Sequence, residues 1–426
     1  MLNRIFLAVI TLIFSMCAIC AEPGPVKIEI EKLDSGYRLL RDGSPFEIKG
    51  AGLEFGDIAL FAAHGGNAIR NWSTENAQEV LDTAHANGVM VALGLPVSPE
   101  RWGFDYNDET AVSLQKEIIR SEILKYRNHP ALMAWIIGNE LNFDYTNSRV
   151  YEVVNDIALM IHELDPNHPV TSTVAGLGLD VVDDLKTLAP DLDILSFQVY
   201  GEIFNVPDFL READLDRPVW ITEWGAIGHW EMPKTNWQAP IEMNSTEKAD
   251  VYLEGYQENI VPHGDVIIGS FAFLWGQKQE RTPTWFGMFT EAGEETETVD
   301  IMHYLWNGSW PQNRSPEVRS FTLDARSAHD SVTLSPGRQV TARIRIRDRD
   351  KDEIRLAWEL KPESTAQEVG GDKEAQLENI PMEIISEKNG RMVFTVPEMK
   401  GNYRLFVYAY DGNNHAAHAN IPFQVR

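Results

Sequence analysis

Between residues 46 and 275 the chain alternates two textures. Short apolar runs at 46–50, 67–72, 89–95, 132–138, 170–174, 194–200, 218–223 and 270–275 read as strands covered on both faces. Between them, at 57–63, 75–87, 110–126, 150–164, 181–188, 207–213 and 246–260, apolar residues recur three and four apart, the pattern of amphipathic helices. Gly88 follows one such stretch where a left-handed cap is favoured, and Asn244 with Glu247 offers a capping box for another. The alternation predicts a parallel sheet of the α/β class. Eight units over roughly 250 residues make a closed (β/α)8 TIM barrel. An open doubly wound sheet would need a Gly-rich first turn, and Gly50-Ala51-Gly52-Leu53-Glu54-Phe55 is no such fingerprint.

The flanks differ. Residues 26–31 and 37–40 alternate around Asp34-Ser35-Gly36 and predict a β-hairpin ahead of the barrel. Around Trp310-Pro311-Gln312-Asn313-Arg314-Ser315-Pro316 the helical periodicity stops. Short alternating runs follow at 340–347, 354–360, 392–396, 403–410 and 421–425, with turn residues at Lys388-Asn389-Gly390 and Asp411-Gly412. They predict a C-terminal antiparallel β-sandwich of immunoglobulin-like type, interrupted by a polar loop at 362–376. At the other end Arg4, an apolar run over 5–14 and small residues up to Ala21 have the shape of a secretory signal peptide. Ala18 and Cys20 would be its −3 and −1 residues. The expected division is a signal peptide at 1–21, the hairpin plus barrel at 22–315, and the sandwich at 316–426, in a secreted or periplasmic protein.

Charge and cysteine content narrow the function. The formal net charge is −27, and residues 316–426 contribute almost nothing to it, with 17 acidic and 16 basic side chains. An acidic barrel disfavours nucleic acid, anionic lipid and polyanionic glycans as partners. Both cysteines, Cys17 and Cys20, lie in or beside the leader. The mature chain is therefore expected to lack disulfides, thiolate metal sites and a thiol nucleophile. Only lipidation at Cys20 would tie it to a membrane. The histidines are scattered without His-Glu-x-x-His spacing, so no metal and no cofactor are expected. No strand–Gly-x-Ser-x-Gly–helix elbow appears either.

Two carboxylates stand out. Trp135-Ile136-Ile137-Gly138-Asn139-Glu140-Leu141 runs from a buried strand into glycine and then Glu140. Pro218-Val219-Trp220-Ile221-Thr222-Glu223-Trp224-Gly225 repeats the design with Glu223. In a barrel all strand ends of one polarity meet at one mouth, so the ends of the fourth and seventh strands converge there. Paired carboxylates suit cleavage of a glycosidic bond. A gap of roughly 5–5.5 Å gives retention by double displacement, and one of roughly 6.5–9.5 Å gives inversion. Each glutamate taken alone would serve equally well as half of a structural ion pair.

Ile136-Ile137-Gly138-Asn139-Glu140-Leu141-Asn142 together with Ile221-Thr222-Glu223-Trp224-Gly225 resembles the catalytic core of clan A glycoside hydrolases, and most closely the barrel of family 2. Further shared phrases are Ile48-Lys49-Gly50-Ala51-Gly52, Gly66-Asn67-Ala68-Ile69-Arg70, Arg127-Asn128-His129-Pro130-Ala131-Leu132 and Asp165-Pro166-Asn167-His168-Pro169-Val170. The resemblance implies that Glu140 is the general acid/base and Glu223 the nucleophile. It implies also that Arg70 and Tyr200 contact the nucleophile, that Asn139 bonds the sugar 2-hydroxyl, and that Trp275 lies beneath the sugar. Trp102, Trp230 and Trp237 fall in loops on the same side and are candidates for sugar stacking. Two features depart from the family: a hairpin stands where a jelly-roll and an immunoglobulin-like domain are usual, and Gln198-Val199-Tyr200 replaces His-x-Tyr. The expected activity is hydrolysis of a neutral β-glycan. A β-glucanosyltransferase using the same glutamates and a non-catalytic glycan-binding protein are the alternatives.

Overall fold

The computed structural model describes residues 24–54, 56–366 and 371–426. The expected signal peptide lies outside the described residues. The hairpin forms as anticipated from strands β1 (Ile28–Leu33) and β2 (Gly36–Arg41), paired antiparallel, with the short β3 (Ser44–Pro45) beside them. Eight parallel strands then close into a barrel: β4 (Gly50–Gly52), β5 (Ala68–Arg70), β6 (Met90–Leu95), β7 (Leu132–Asn139), β8 (Val170–Ala175), β9 (Ile194–Gln198), β10 (Val219–Gly225) and β11 (Ile267–Phe273).

Seven helices fill the gaps where the apolar periodicity placed them: α1 (Ile58–Ala63), α2 (Ala77–Ala86), α3 (Glu109–Tyr126), α4 (Arg149–Leu164), α5 (Leu179–Leu188), α6 (Val206–Glu212) and α7 (Ser245–Glu254). The capping box of Asn244 and Glu247 opens α7, which continues as a π-helical turn over Gly255–Ile260. An eighth helix, α8 (Glu297–Asn307), completes the ring.

Two apolar layers hold the barrel. One lies between strands and helices. The other fills the barrel interior with Ala68, Met90, Ala92, Met133, Ala134, Ile136, Ile194, Trp220 and Phe271, and it continues into Val26, Ile28 and Leu39 of the hairpin. The hairpin is therefore the plug of the N-terminal end. Its backbone is bonded there too: the Ile28 N–H donates to the Asn167 carbonyl, and the Tyr37 N–H to that of Asp265, each at 2.8 Å. With that end stoppered, the C-terminal end is the open mouth.

Beyond the barrel two four-stranded sheets form. One is ordered β12 (Glu317–Leu323), β14 (Gln339–Arg347), β17 (Arg391–Thr395), β16 (Ile384–Lys388); the other β13 (Thr333–Leu334), β19 (Ala416–Val425), β18 (Gly401–Tyr410), β15 (Arg355–Pro362). All pairings are antiparallel except the two-residue β13 on β19. The sheets share a core that includes Leu334, Val340, Leu360, Phe394, Leu405 and Phe423.

Polar networks join the two parts. At one of them the Glu295 carboxylate lies 3.4 Å from Nε2 of both His64 and His415, and Asp300 accepts the Ser315 N–H at 2.7 Å. Glu295, Asp300 and His415 sit close enough to enclose an ion, and Glu295 already lies against both histidines. Burial alone would lower the His415 imidazole, but its hydrogen bond to Glu295 and the nearby Asp300 charge raise it to about 9. Burial would raise Glu295, whereas the hydrogen bonds from His415 and His64 hold it at about 2.

A raised histidine contributes stability that is complete below its ordinary value of about 6.5 and is lost as pH climbs through about 9. The depressed carboxylate contributes stability present above about 4.5 and lost as pH falls through about 2. Thermal melting is therefore expected to drop on the alkaline side between about pH 7 and about pH 10, and His415→Gln to flatten that drop. An alkaline decline of equal depth in the variant would contradict this assignment.

Candidate active site

Both glutamates stand at irregularities of the strands that carry them. The pairing of β7 with β8 slips between Ile136 and Asn139, and that of β10 with β9 slips between Ile221 and Glu223. Such bulges turn side chains that would face along the wall toward the opening. Gly138 at φ +69° makes the first possible, since a Cβ there would press within 3.0 Å of the Leu141 side chain. Glu140 itself sits at φ +47°, an uncommon conformation for a side chain of its size, held by its N–H donating to the Thr173 carbonyl at 3.0 Å. Backbone strain of this kind, about 1–3 kcal/mol, concentrates at functional positions.

Glu223 is buried and fully engaged. Oε1 accepts from Arg70 Nη1 and from Trp72 Nε1, both at 2.9 Å, and Oε2 accepts the Tyr200 hydroxyl at 2.6 Å. Arg70 is completely buried. Its second nitrogen donates to Asn139 Oδ1 at 2.9 Å, and that oxygen also accepts from Gln198 Nε2 at 2.7 Å. The Asn139 oxygen is thus fully occupied within the protein. Burial pulls the Arg70 guanidinium down, opposed chiefly by Glu223; burial and Glu223 together push the Tyr200 phenol well above its ordinary value. Three donors aimed at one carboxylate favour its charged form.

Glu140 is in the opposite situation. It is only partly exposed, and burial, followed by the Glu223 charge, raises its carboxyl to about 8; Arg101 and Arg70 pull the other way, and Glu280 adds to the rise. One carboxylate thus meets three hydrogen-bond donors, while its neighbour is held protonated at neutral pH. That division is the one an acid and a nucleophile require.

Of the residues expected here, Arg70, Asn139, Glu140, Tyr200 and Glu223 converge. Trp275 does not. It is fully buried between Phe61, Phe289 and Trp306, away from the pair. The strand ends two residues earlier than expected, and a tight turn closed by the Gly276 N–H on the Leu274 carbonyl at 2.9 Å swings the indole outward. Phe273 takes the inner position, edge-on to both Trp72 and Tyr200.

The sequence reading assigned no role to Trp72. Its signal was the indole two residues beyond Arg70, on the same side of an extended chain. Of the loop tryptophans, Trp230 packs on Tyr200 and remains 52% exposed, Trp102 is 65% exposed, and Trp237 is largely covered.

Residues 53–228 match the family described as "Glycosyl hydrolases family 2, TIM barrel domain". The barrel is similar to that of family 2 glycoside hydrolases. Over 118 residues, 24% of this chain and 27% of the relative, the sequence is 30% identical to mannan endo-1,4-beta-mannosidase F of Aspergillus clavatus. A beta-glucuronidase of Paenibacillus borealis is 22% identical over 302 residues, 62% of this chain and 48% of that one. Among solved structures, Bacteroides uniformis beta-glucuronidase 2 superposes over 94% of this chain and 48% of its own, at TM-score 0.53 and 14% identity. The chain spans between about a quarter and half the length of these relatives. At that identity the solved structure speaks for the fold alone, which includes both the barrel and the sheets that follow it.

Proposed function

We propose that the protein is a retaining β-glycosidase acting on a neutral β-glycan, with Glu223 as nucleophile and Glu140 as general acid/base. The observation that carries this reading is the opposed environments of the two carboxylates: three hydrogen-bond donors on Glu223, and burial beside a like charge for Glu140. In the first step Glu140 gives its proton to the glycosidic oxygen while a Glu223 oxygen attacks the anomeric carbon, forming a glycosyl ester and releasing the leaving sugar. In the second, ionised Glu140 takes a proton from water, which attacks the same carbon and frees Glu223. The amide of Asn139 is positioned to bond the 2-hydroxyl, and Phe273 with Trp230 to face the ring.

A neutral substrate is favoured by the cations at the mouth. Arg70 is paired with Glu223, Arg101 with Asp372 at 3.3 Å, and Lys278 with Glu280 at 2.8 Å. A sugar carboxylate would have to displace one of these partners in a field that is already acidic. The mannosidase name of one relative agrees with a neutral sugar, and the glucuronidase name of another supplies the contrary case.

The test is a screen of β-mannan, β-glucan, xylan, galactan and β-glucuronides that reads reducing ends and product sizes together. Shorter products from a neutral polymer are expected. Products longer than a defined oligosaccharide would assign glucanosyl transfer instead; tight binding without turnover would assign a glycan-binding protein; turnover of glucuronides alone would overturn the neutral substrate. Export by a cleaved leader belongs to the same proposal. Expression with the full leader is expected to yield a mature protein beginning near residue 21, and a cytoplasmic chain retaining Met1 would contradict it.

A further inference from the structure

The stretch between β15 and β16 carries no strand among its described residues, and part of it returns to the barrel mouth. The Asp372 carboxylate meets Arg101, and the Gly371 carbonyl accepts from Lys278 Nζ at 2.9 Å. Glu374 accepts the backbone N–H of Arg281 at 2.8 Å, and the Ala366 carbonyl accepts from the Arg281 guanidinium. Arg101 belongs to the loop after β6, and Lys278 and Arg281 to the loop after β11. The second domain is therefore stitched to two of the loops that form the rim.

Beside one of those stitches two aromatic rings flank a guanidinium. The Arg101 guanidinium sits 5.1 Å from the Trp102 ring centroid and 5.5 Å from that of Phe143. Phe143 is tied to Glu140, its N–H donating to the Glu140 carbonyl at 2.9 Å. Trp102 leaves 65% of its surface in solvent, although a large indole at that exposure contributes little to stability. An aromatic face backed by a guanidinium suits the apolar face of a sugar ring, whose hydroxyls can meet the charged groups at its edge.

We propose that Trp102, Arg101 and Asp372 form the subsite for the departing sugar of a neutral β-oligosaccharide, so that the second domain supplies part of the substrate site. The inference rests on Glu140 being the acid. A proton donated to the glycosidic oxygen requires the leaving sugar to lie on the donor's side, and Arg101 is the cation whose charge bears most on Glu140. The other charged groups bearing on Glu140 are Glu223, Arg70 and Glu280, the last held by Lys278 and His229. Asp372 is a positioning residue in this arrangement: it fixes Arg101 and offsets its charge.

The test compares two substrates in the full chain, β-1,4-mannotetraose and β-mannosyl fluoride, with the glucosyl pair run alongside. Fluoride fills no sugar subsite and leaves without a proton. In Trp102→Ala and in Asp372→Asn, the ratio of kcat/KM on the tetraose to that on the fluoride is expected to fall at least about tenfold. Asp372→Asn should also move the basic limb of the tetraose pH profile to lower pH, because the Arg101 charge then acts on Glu140 unopposed; Arg101→Gln should move it to higher pH. An unchanged ratio in both variants overturns the subsite. A lowered ratio with the Asp372→Asn limb unmoved overturns the role of Asp372 and leaves it a structural tether. Failure of the unmodified protein to turn over either sugar pair, or any polymer of the wider screen, overturns the glycosidase reading itself.

Discussion

Glu223→Gln is expected to lower turnover of the glycan by roughly 10⁴-fold or more, because it removes the atom that forms the covalent bond to the sugar. Glutamine can keep an oxygen toward Arg70 and Trp72 and turn its NH2 as a donor to the Tyr200 hydroxyl oxygen, so thermal melting should show a folded protein. Glu140→Gln is expected to behave differently. It should cost about 10²–10⁴-fold on an oligosaccharide, the usual worth of general acid–base catalysis, and far less on a glycosyl fluoride, which leaves unaided. The basic limb of kcat/KM should report the Glu140 proton near pH 8, with activity falling above it. Full activity in the doubly substituted protein would place the chemistry elsewhere.

Glu242→Ala is expected to be the most destabilising of simple substitutions at the domain junction. The buried Glu242 carboxylate accepts from Lys248 Nζ at 2.5 Å, Thr282 at 2.6 Å, Thr284 at 2.8 Å and Asn420 Nδ2 at 2.6 Å. Burial alone would raise its pKa, but the Lys248 charge and those of His418 and Arg404 hold it at about 2. Removing it strands a buried Lys248 ammonium, at a cost of about 3–5 kcal/mol. The same substitution frees Asn420, in the middle of β19, and the rim loop at Thr282 from each other. A large fall in melting temperature is the expected readout; a shift of about 1 °C or less would mean that the network relaxes around the loss.

The barrel was legible because its strands are apolar on both faces and its helices on one, and both periods survive in the sequence. The helix α8 was not. Its buried face includes Glu297, Thr298 and Asp300, which burial among other polar groups makes tolerable in the fold but which hide the apolar stripe. The edge strand β16 is exposed along its whole length, so no alternation marks it. In β12 the exposed pair Arg319-Ser320 comes at a slip in pairing, which breaks the two-residue period.

At the site, residues fixed by strand ends were readable and those fixed by turns were not. Arg70, Glu140, Tyr200 and Glu223 follow from where strands stop. The exchange of Trp275 for Phe273 depends on how the chain turns after β11, which composition does not encode. The approach of Asp372 and Glu374 to the rim joins positions about 270 and 93 residues apart in sequence to the barrel loops, and nothing local in a polar, Gly-containing loop announces it.

The claim on which the rest depends is that Glu223 forms a covalent bond to the sugar. A 2-deoxy-2-fluoroglycosyl fluoride of the mannosyl or glucosyl series slows release of such an intermediate more than its formation, and peptide mass spectrometry then locates the label. One added fluoroglycosyl group on the peptide carrying Glu223 is the predicted result, with none on that peptide in Glu223→Gln. A label on another carboxylate, or no label from a sugar series whose simple fluoride the protein turns over, would contradict the account.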